Sequence, residues 1–198
     1  MKVFWFDVET TGLDPEKHEI VQLAYQMVTD GGIVGERNIL MRPDRPEDIS
    51  PKALKVQGRT LDDVMAFPAR KLGWRQFIAD LDMWISKWNR TDKAWYGGYN
   101  VEFDCDFLWA ESRAQDERFF GSYWFGYAID PYPVAQFLAG TGLLEWIQGR
   151  KLTLGTLCKH FAIDLQAHDA LSDIKATREL THKIVDLMDR RESWIDPC

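Results

Sequence analysis

Apolar positions in the first part of the chain follow the two-residue period of strands. Val3-Phe4-Trp5-Phe6 is a continuous apolar run that ends on Asp7-Val8-Glu9 and is broken by Gly12, which predicts a buried strand over about Lys2–Glu9. From Ile20 to Thr29 the residues Ile20, Gln22, Ala24, Gln26 and Val28 alternate with Val21, Leu23, Tyr25 and Met27, as a second strand would. Asp30-Gly31-Gly32 is a hairpin turn signal, so a third strand, about Ile33–Met41, is expected antiparallel to the second until Pro43 and Pro46 interrupt it. Ser50-Pro51 then predicts a short helix, with Ser as N-cap and Pro at the first helical position, stopping near Gln57-Gly58. Thr60-Leu61-Asp62-Asp63 reads as another helix start, its capping box weakened because Asp stands where Glu is usual. The period now changes: Trp74, Phe77, Ile78, Leu81, Trp84, Ile85 and Trp88 recur at intervals of three and four, predicting an amphipathic helix over Trp74–Trp88 with its aromatics in the core.

The second half alternates. A strand-like Ala94-Trp95-Tyr96-Gly97-Gly98 leads through Tyr99 and Asn100 into a helix reaching Ala114. A strand over about Trp124–Ile129 ends at Asp130-Pro131-Tyr132-Pro133, and a helix follows to about Leu138. Gly140-Thr141-Gly142 and Gln148-Gly149-Arg150 mark loops. Thr153 caps a helix around Leu154–Phe161, and the last helix runs from about Ala170 to Met188 with Asp169 as its N-cap. No repeat, low-complexity tract or linker interrupts this order. A three-strand meander followed by alternating helices and strands makes the chain an α/β domain, a mixed five-stranded sheet flanked by helices.

Composition narrows the class. At 198 residues, 45% hydrophobic, with nine Trp and eleven Phe, the chain has the means to build one sizeable core. It has no run of about 18 apolar residues and no basic start with an apolar core of the signal-peptide kind, so no membrane partner is expected. Cys105, Cys158 and Cys198 are odd in number and far apart, without a C-x-x-C, which suits free thiols in a reducing, cytoplasmic setting and gives no zinc signature.

Candidate chemistry begins at the end of the first strand. Residues i and i+2 of a strand share a face, so Asp7 and Glu9 present two carboxylates side by side. Burying two like charges costs several kcal/mol unless something compensates. Two readings stand at this point: a divalent cation held by hard oxygen ligands, or a solvated strand end with two harmless acids. Two further blocks bear on the choice, Tyr99-Asn100-Val101-Glu102-Phe103-Asp104 at a helix start and His168-Asp169-Ala170-Leu171-Ser172-Asp173 at the start of the last helix.

Together with Asp7-Val8-Glu9-Thr10-Thr11-Gly12, these blocks resemble the three motifs of the DnaQ-like (DEDDh) 3′–5′ exonucleases, in order and at similar separations, from about Met1 to about Met188. The resemblance implies a ribonuclease-H-like architecture, with a single exonuclease domain over 1–190 and a short C-terminal tail at 191–198. It implies that Asp7, Glu9, Asp104 and Asp173 hold two divalent cations, Mg²⁺ or Mn²⁺. Four carboxylates in one cleft repel, by roughly 3 kcal/mol per pair at 5 Å and an effective dielectric of 20, and two such ions offset that repulsion. His168 precedes Asp173 by five residues, about 140° around a helix, so it is expected on the connecting loop as the general base for the attacking water. By the same resemblance Thr10, Thr11, Leu13, Asn100 and Phe103 bind the 3′ end of the strand, Leu13 as a wedge against the last base. Tyr99 departs from the pattern, since many family members carry His there.

A net charge of −7 is unusual for a nucleic-acid partner. Arg37 to Arg75, however, holds nine Lys/Arg against five Asp/Glu, and cations at the site would also engage phosphate. The expected reaction is therefore hydrolysis of single-stranded 3′ ends to nucleoside monophosphates, DNA being favoured. The alternatives are an exoribonuclease of the oligoribonuclease or ribonuclease T type and a non-catalytic nucleic-acid-binding module. Only about ten residues follow the last helix, which favours a free-standing enzyme, with a polymerase or repair partner reaching it through a surface patch. The sequence carries no signal of oligomeric state.

Overall fold

The computed structural model describes residues 1–144, 151–166 and 169–189. Five strands, β1 (Lys2–Thr10), β2 (Ile20–Thr29), β3 (Gly32–Leu40), β4 (Ala94–Gly97) and β5 (Trp124–Ile129), form one sheet in the order β3-β2-β1-β4-β5. β1 pairs antiparallel with β2 and parallel with β4, β2 pairs antiparallel with β3, and β4 pairs parallel with β5. The first strand is central, which explains its unbroken apolar run: both faces are covered. Phe4, Phe6 and Val8 join the largest core cluster with Tyr25, Phe77 and Phe107, while Val3 and Trp5 pack on the other face with Ala24, Val28, Ala170 and Ile174. Gly97 lies opposite Trp5 in the parallel ladder, and a Cβ there would stand 2.6 Å from the indole, so this strand end must lack a side chain.

Seven α-helices surround the sheet among the described residues: α1 (Pro51–Val56), α2 (Leu61–Met65), α3 (Arg70–Trp84), α4 (Val101–Ala114), α5 (Pro131–Gly140), α6 (Leu154–His160) and α7 (Ala170–Asp189). α3 and α4 contribute Trp74, Phe77, Leu81, Phe107 and Leu108 to one face of the sheet. On the other face α7 packs Ala170 and Ile174 against β1 and β2, and farther along it packs Leu180 and Ile184 with α5 and α6. No described helix is long and apolar enough to cross a membrane.

Most expected elements are present with shifted ends. The mixed five-stranded sheet is as expected, and the third strand begins and ends one residue earlier than its apolar pattern suggests. The long amphipathic helix is displaced more, covering Arg70–Trp84 instead of Trp74–Trp88. Its start is set by Arg70, whose side chain is buried among carboxylates, and it stops because Ile85 turns extended to enter the core. Trp88 is accordingly 67% exposed, resting edge-on against Phe119. Ser50 occupies the N-cap position but makes no side-chain cap bond; its carbonyl accepts from the Ala53 and Leu54 amides instead. The box at Thr60 forms in full, because the shorter Asp63 still reaches the Thr60 amide at 2.7 Å. Thr153 caps α6 with Thr156 as its reciprocal partner. The Gln148-Gly149-Arg150 loop, Cys198 and the 191–198 tail lie outside the described residues.

Candidate active site

β1 carries Asp7 and Glu9 to the edge of the core on the face that α7 covers. Val8, between them, points into the opposite core and is buried, while both acids are half-buried. A register shift between Glu9 and Thr10 in the β1–β2 ladder turns the strand end, a common device next to active sites. Asp104 comes from the first turn of α4 and is buried. Its Oδ1 accepts the Val8 amide at 2.9 Å, which ties the helix start directly to the strand between the two acids. Asp173 comes from the first turn of α7, half-buried beside them. Asp169 fills the expected capping role there, accepting the Ser172 amide at 2.8 Å.

The electrostatics show that these groups share one space. Burial pushes the Asp7 carboxyl well above its ordinary value, and Asp104, Asp173, Glu9 and Asp169 push it further. Glu9 is raised to about 7 by burial, with Arg59 pulling the other way and Asp173 and Asp169 adding to the rise. Asp104 is also raised by burial; the Val8 amide opposes this, and Glu9 and Asp130 reinforce it. Among the described residues no group of three or more His, Cys, Asp or Glu side chains is drawn tightly enough together to hold a metal ion as it stands. The donor set nevertheless suits a hard divalent cation: carboxylate oxygens from three elements, desolvated and mutually repelling, a penalty that either protonation or a bound cation relieves.

A groove of about 420 Å³ opens beside Glu9, lined among others by Thr10, Gly12, Leu13, Lys52, Gln57 and Phe103. It brings together three of the five residues expected to bind substrate. Leu13 is 81% exposed at its rim, and Phe103 packs on Phe107 with ring centroids 5.0 Å apart. Thr10 is buried, its hydroxyl donating to the Gly12 carbonyl at 2.6 Å and its carbonyl accepting from Gln57 Nε2 at 2.8 Å. The turn is tight: a Cβ on Gly12 would stand 2.2 Å from the His18 ring. Thr11 and Asn100 are placed elsewhere. Thr11 is 1% exposed and its hydroxyl accepts the Glu19 amide, so it is a fastener of the turn with no face toward the groove. Asn100 sits in the left-handed conformation, φ 55°, and lines a second groove of about 960 Å³ with Tyr99, Tyr132 and Lys151. His168 lies outside the described residues.

Two residues beyond the sequence motifs shape the site. Asp130 accepts the Asn100 and Val101 amides, both at 3.0 Å, and the Tyr132 amide at 2.9 Å, so one carboxylate joins the end of β5 to the starts of α4 and α5. Asp-Pro in the sequence signals the α5 cap but not the clamp across thirty residues. Arg59 is the other, a cation whose field reaches Glu9. Three of the nine basic residues between Arg37 and Arg75 serve the fold through ion pairs: Arg70 with Glu19 and with Glu111, Arg45 with Glu19 at 3.3 Å, and Arg37 with Asp80 at 3.1 Å.

Fold and carboxylates together define the class, a DnaQ-like 3′–5′ exonuclease domain. A profile of the family described as Exonuclease, RNase_T, matches residues 4–181, and the chain belongs to that family. The PolC-type DNA polymerase III of Oceanobacillus iheyensis is 29% identical over 189 residues, 94% of this chain and 12% of the relative. The chain thus spans about an eighth of the length of the curated relatives it matches. Among solved structures, exonuclease I matches with a TM-score of 0.77 at 20% identity, over 97% of this chain and 43% of the other. A zinc-bound E. coli exonuclease I in complex with single-stranded DNA matches at 0.73 and 19% identity, over the same shares of the two chains. At these identities the structural matches establish the fold, the ribonuclease-H-like mixed sheet flanked by helices.

Proposed function

We propose that this domain hydrolyses single-stranded DNA from the 3′ end, releasing nucleoside monophosphates, with Mg²⁺ or Mn²⁺ held by Asp7, Glu9, Asp104 and Asp173. The observation that supports this reading is that Asp104, Asp173 and Glu9, from α4, α7 and β1, all raise the Asp7 carboxyl, while Glu9 lines the groove of Thr10, Leu13 and Phe103. The groove receives the terminal nucleotide: exposed Leu13 offers apolar contact to its base, and Phe103, packed on Phe107, forms part of the wall. When bound, two divalent cations supply charge stabilisation to the attacking and leaving oxygens of an in-line phosphoryl displacement. Asp7 and Asp104 are kept side by side because the amide of Val8, the residue after Asp7, donates to Asp104 and joins their strand to their helix. His168 takes the proton from the attacking water, work to which an imidazole is suited at neutral pH. DNA is favoured over RNA because the relatives include DNA polymerases and an exonuclease I bound to single-stranded DNA.

The test is a product time course on 5′-labelled DNA and RNA oligomers of matched sequence, with Mg²⁺, Mn²⁺ or excess EDTA, beside a circular single strand. A 3′–5′ ladder on DNA that disappears in EDTA, with the circle spared, is the expected result. A clear preference for RNA would turn the reading into an exoribonuclease. Activity in excess EDTA, or cleavage of the circle, would retire it.

A further inference from the structure

Arg59 is delivered to the site by rigid elements. The positive-φ Gly58 ends α1, and the Arg59 amide donates back to the Leu54 carbonyl at 2.9 Å, so its backbone is set by the helix end. Its guanidinium lies 5.2 Å from the centre of the Phe67 ring, and its Nη2 donates to Gln22 Oε1. Gln22 is held in turn by Asn38, which accepts from its Nε2 at 2.8 Å. In the β1–β2 ladder Gln22 is the residue directly opposite Glu9, and directly opposed side chains share a face with Cβ atoms about 4.5–5.5 Å apart. The chain Asn38–Gln22–Arg59 therefore stands next to Glu9. Arg59 Nη1 is buried without a hydrogen-bond acceptor, and among the described residues the acceptor this guanidinium finds is the amide oxygen of Gln22, with no carboxylate in a salt bridge to it. Arginine does not lose its proton in proteins, so a permanent positive charge, without a salt-bridge partner among the described residues, is built in beside the carboxylate cluster, its field reaching Glu9 and Asp63.

We propose that Arg59 is a positioning residue for the cation site, a fixed charge beside Glu9 that weakens the hold of the carboxylates on divalent cations and sets the concentration at which they bind. The inference rests on the cation reading proposed above. A second positive charge near Glu9 repels an incoming cation, while the same charge eases the mutual repulsion of the carboxylates when no cation is bound. Arg59 thus trades cation affinity for a cluster that tolerates the absence of metal. It acts through Glu9 and need not touch the substrate.

The experiment titrates Mn²⁺ alone into chelator-stripped protein and follows thermal unfolding, with the electron paramagnetic resonance signal of free Mn²⁺ as an independent count of bound ions. Arg59→Gln keeps a donor for Gln22 Oε1 and removes the charge; Arg59→Met removes both; Arg59→Lys keeps the charge. The Mn²⁺ midpoint should fall about tenfold in the two neutral variants, equivalent to roughly 1.4 kcal/mol, and stay near wild type in Arg59→Lys. The difference should shrink as salt is raised, because the charge is only partly buried. A role confined to fastening α1 to the sheet would lower the unfolding temperature of all variants without moving the midpoint. An unchanged or higher midpoint in the neutral variants overturns the proposal. Should they fail to fold, Gln22→Met releases the guanidinium from beside Glu9 and must lower the midpoint as well, or the proposal falls. A wild-type protein that ignores Mn²⁺ retires the cation reading itself, whereas a wild-type response with no shift in the variants retires only this inference.

Discussion

Asp104 condenses the conflict of the site into one side chain. It is buried, it accepts the Val8 amide, and burial favours its neutral form, whereas cation binding needs the anion. Asp104→Asn keeps an oxygen for the Val8 amide and removes the charge. In EDTA at pH 8 the variant should therefore unfold at the same temperature as wild type or higher, while the rise produced by Mn²⁺ shrinks. Exonuclease activity should fall at least about a hundredfold, the scale of losing one charge-stabilising group. A variant less stable than wild type in EDTA would show that the anion, not the oxygen, holds α4 to β1. His168 poses the complementary case. If it serves as the base, His168→Ala should slow single-turnover hydrolysis by about 10²–10⁴-fold and leave Mn²⁺ binding unchanged. Wild-type turnover in that variant would mean the base is elsewhere.

At the scale of elements, the site depends on how α3 and α4 are fastened beneath the turn after β1. Arg70, the first residue of α3, makes two bonds from its Nε to Glu111 of α4, at 2.9 and 2.8 Å, and reaches Glu19 with Nη1. Glu19 in turn accepts the Asp44 and Arg45 amides at 2.8 and 2.9 Å. All three charged side chains are buried, so removing one partner leaves the others desolvated and uncompensated. Arg70→Met should cost about 3–5 kcal/mol in urea unfolding, and adding Glu111→Leu should restore part of it. A loss below about 1 kcal/mol would mean that water reaches these carboxylates. The network also accounts for the early start of α3. Hydrophobic spacing marks where a helix is buried, but here the helix begins at a residue chosen for its charge.

For the whole molecule, the raised carboxylates link stability to pH. A group whose folded pKa lies above its unfolded value stabilises the fold below the unfolded pKa, and that contribution is lost as pH rises through the folded pKa. Glu9, at about 7 against an ordinary 4.5, defines the window, and Asp7 and Asp104 act in the same direction. In EDTA the unfolding temperature should fall as pH rises from about 4.5 past 7. With saturating Mn²⁺ the trend should flatten or reverse, since cation binding itself requires deprotonated ligands. Calorimetry across that range checks both limbs, and a temperature that climbs with pH in EDTA would contradict the assigned cause.

How much of this was legible in the chain depends on the range of the interaction. The apolar run before Asp7, the alternation through Ile20–Thr29 and the spacing of Trp74, Phe77 and Leu81 predict elements because local burial is periodic. The side-by-side placement of Asp7 and Glu9 follows from the strand period alone. Family motifs then single out Asp104 and Asp173, which no local rule connects to β1. Tertiary structure decided what crosses the chain: the bond that joins Val8 to Asp104, the Asp130 clamp on the start of α4, and the burial of Thr11 away from the groove that Thr10 and Leu13 line. It also decided the fate of the basic stretch. Charge counted along the sequence does not say whether an arginine faces a phosphate or a buried glutamate, because that depends on which acids the fold brings within a few ångströms, and for Arg70 those acids are Glu19 and Glu111.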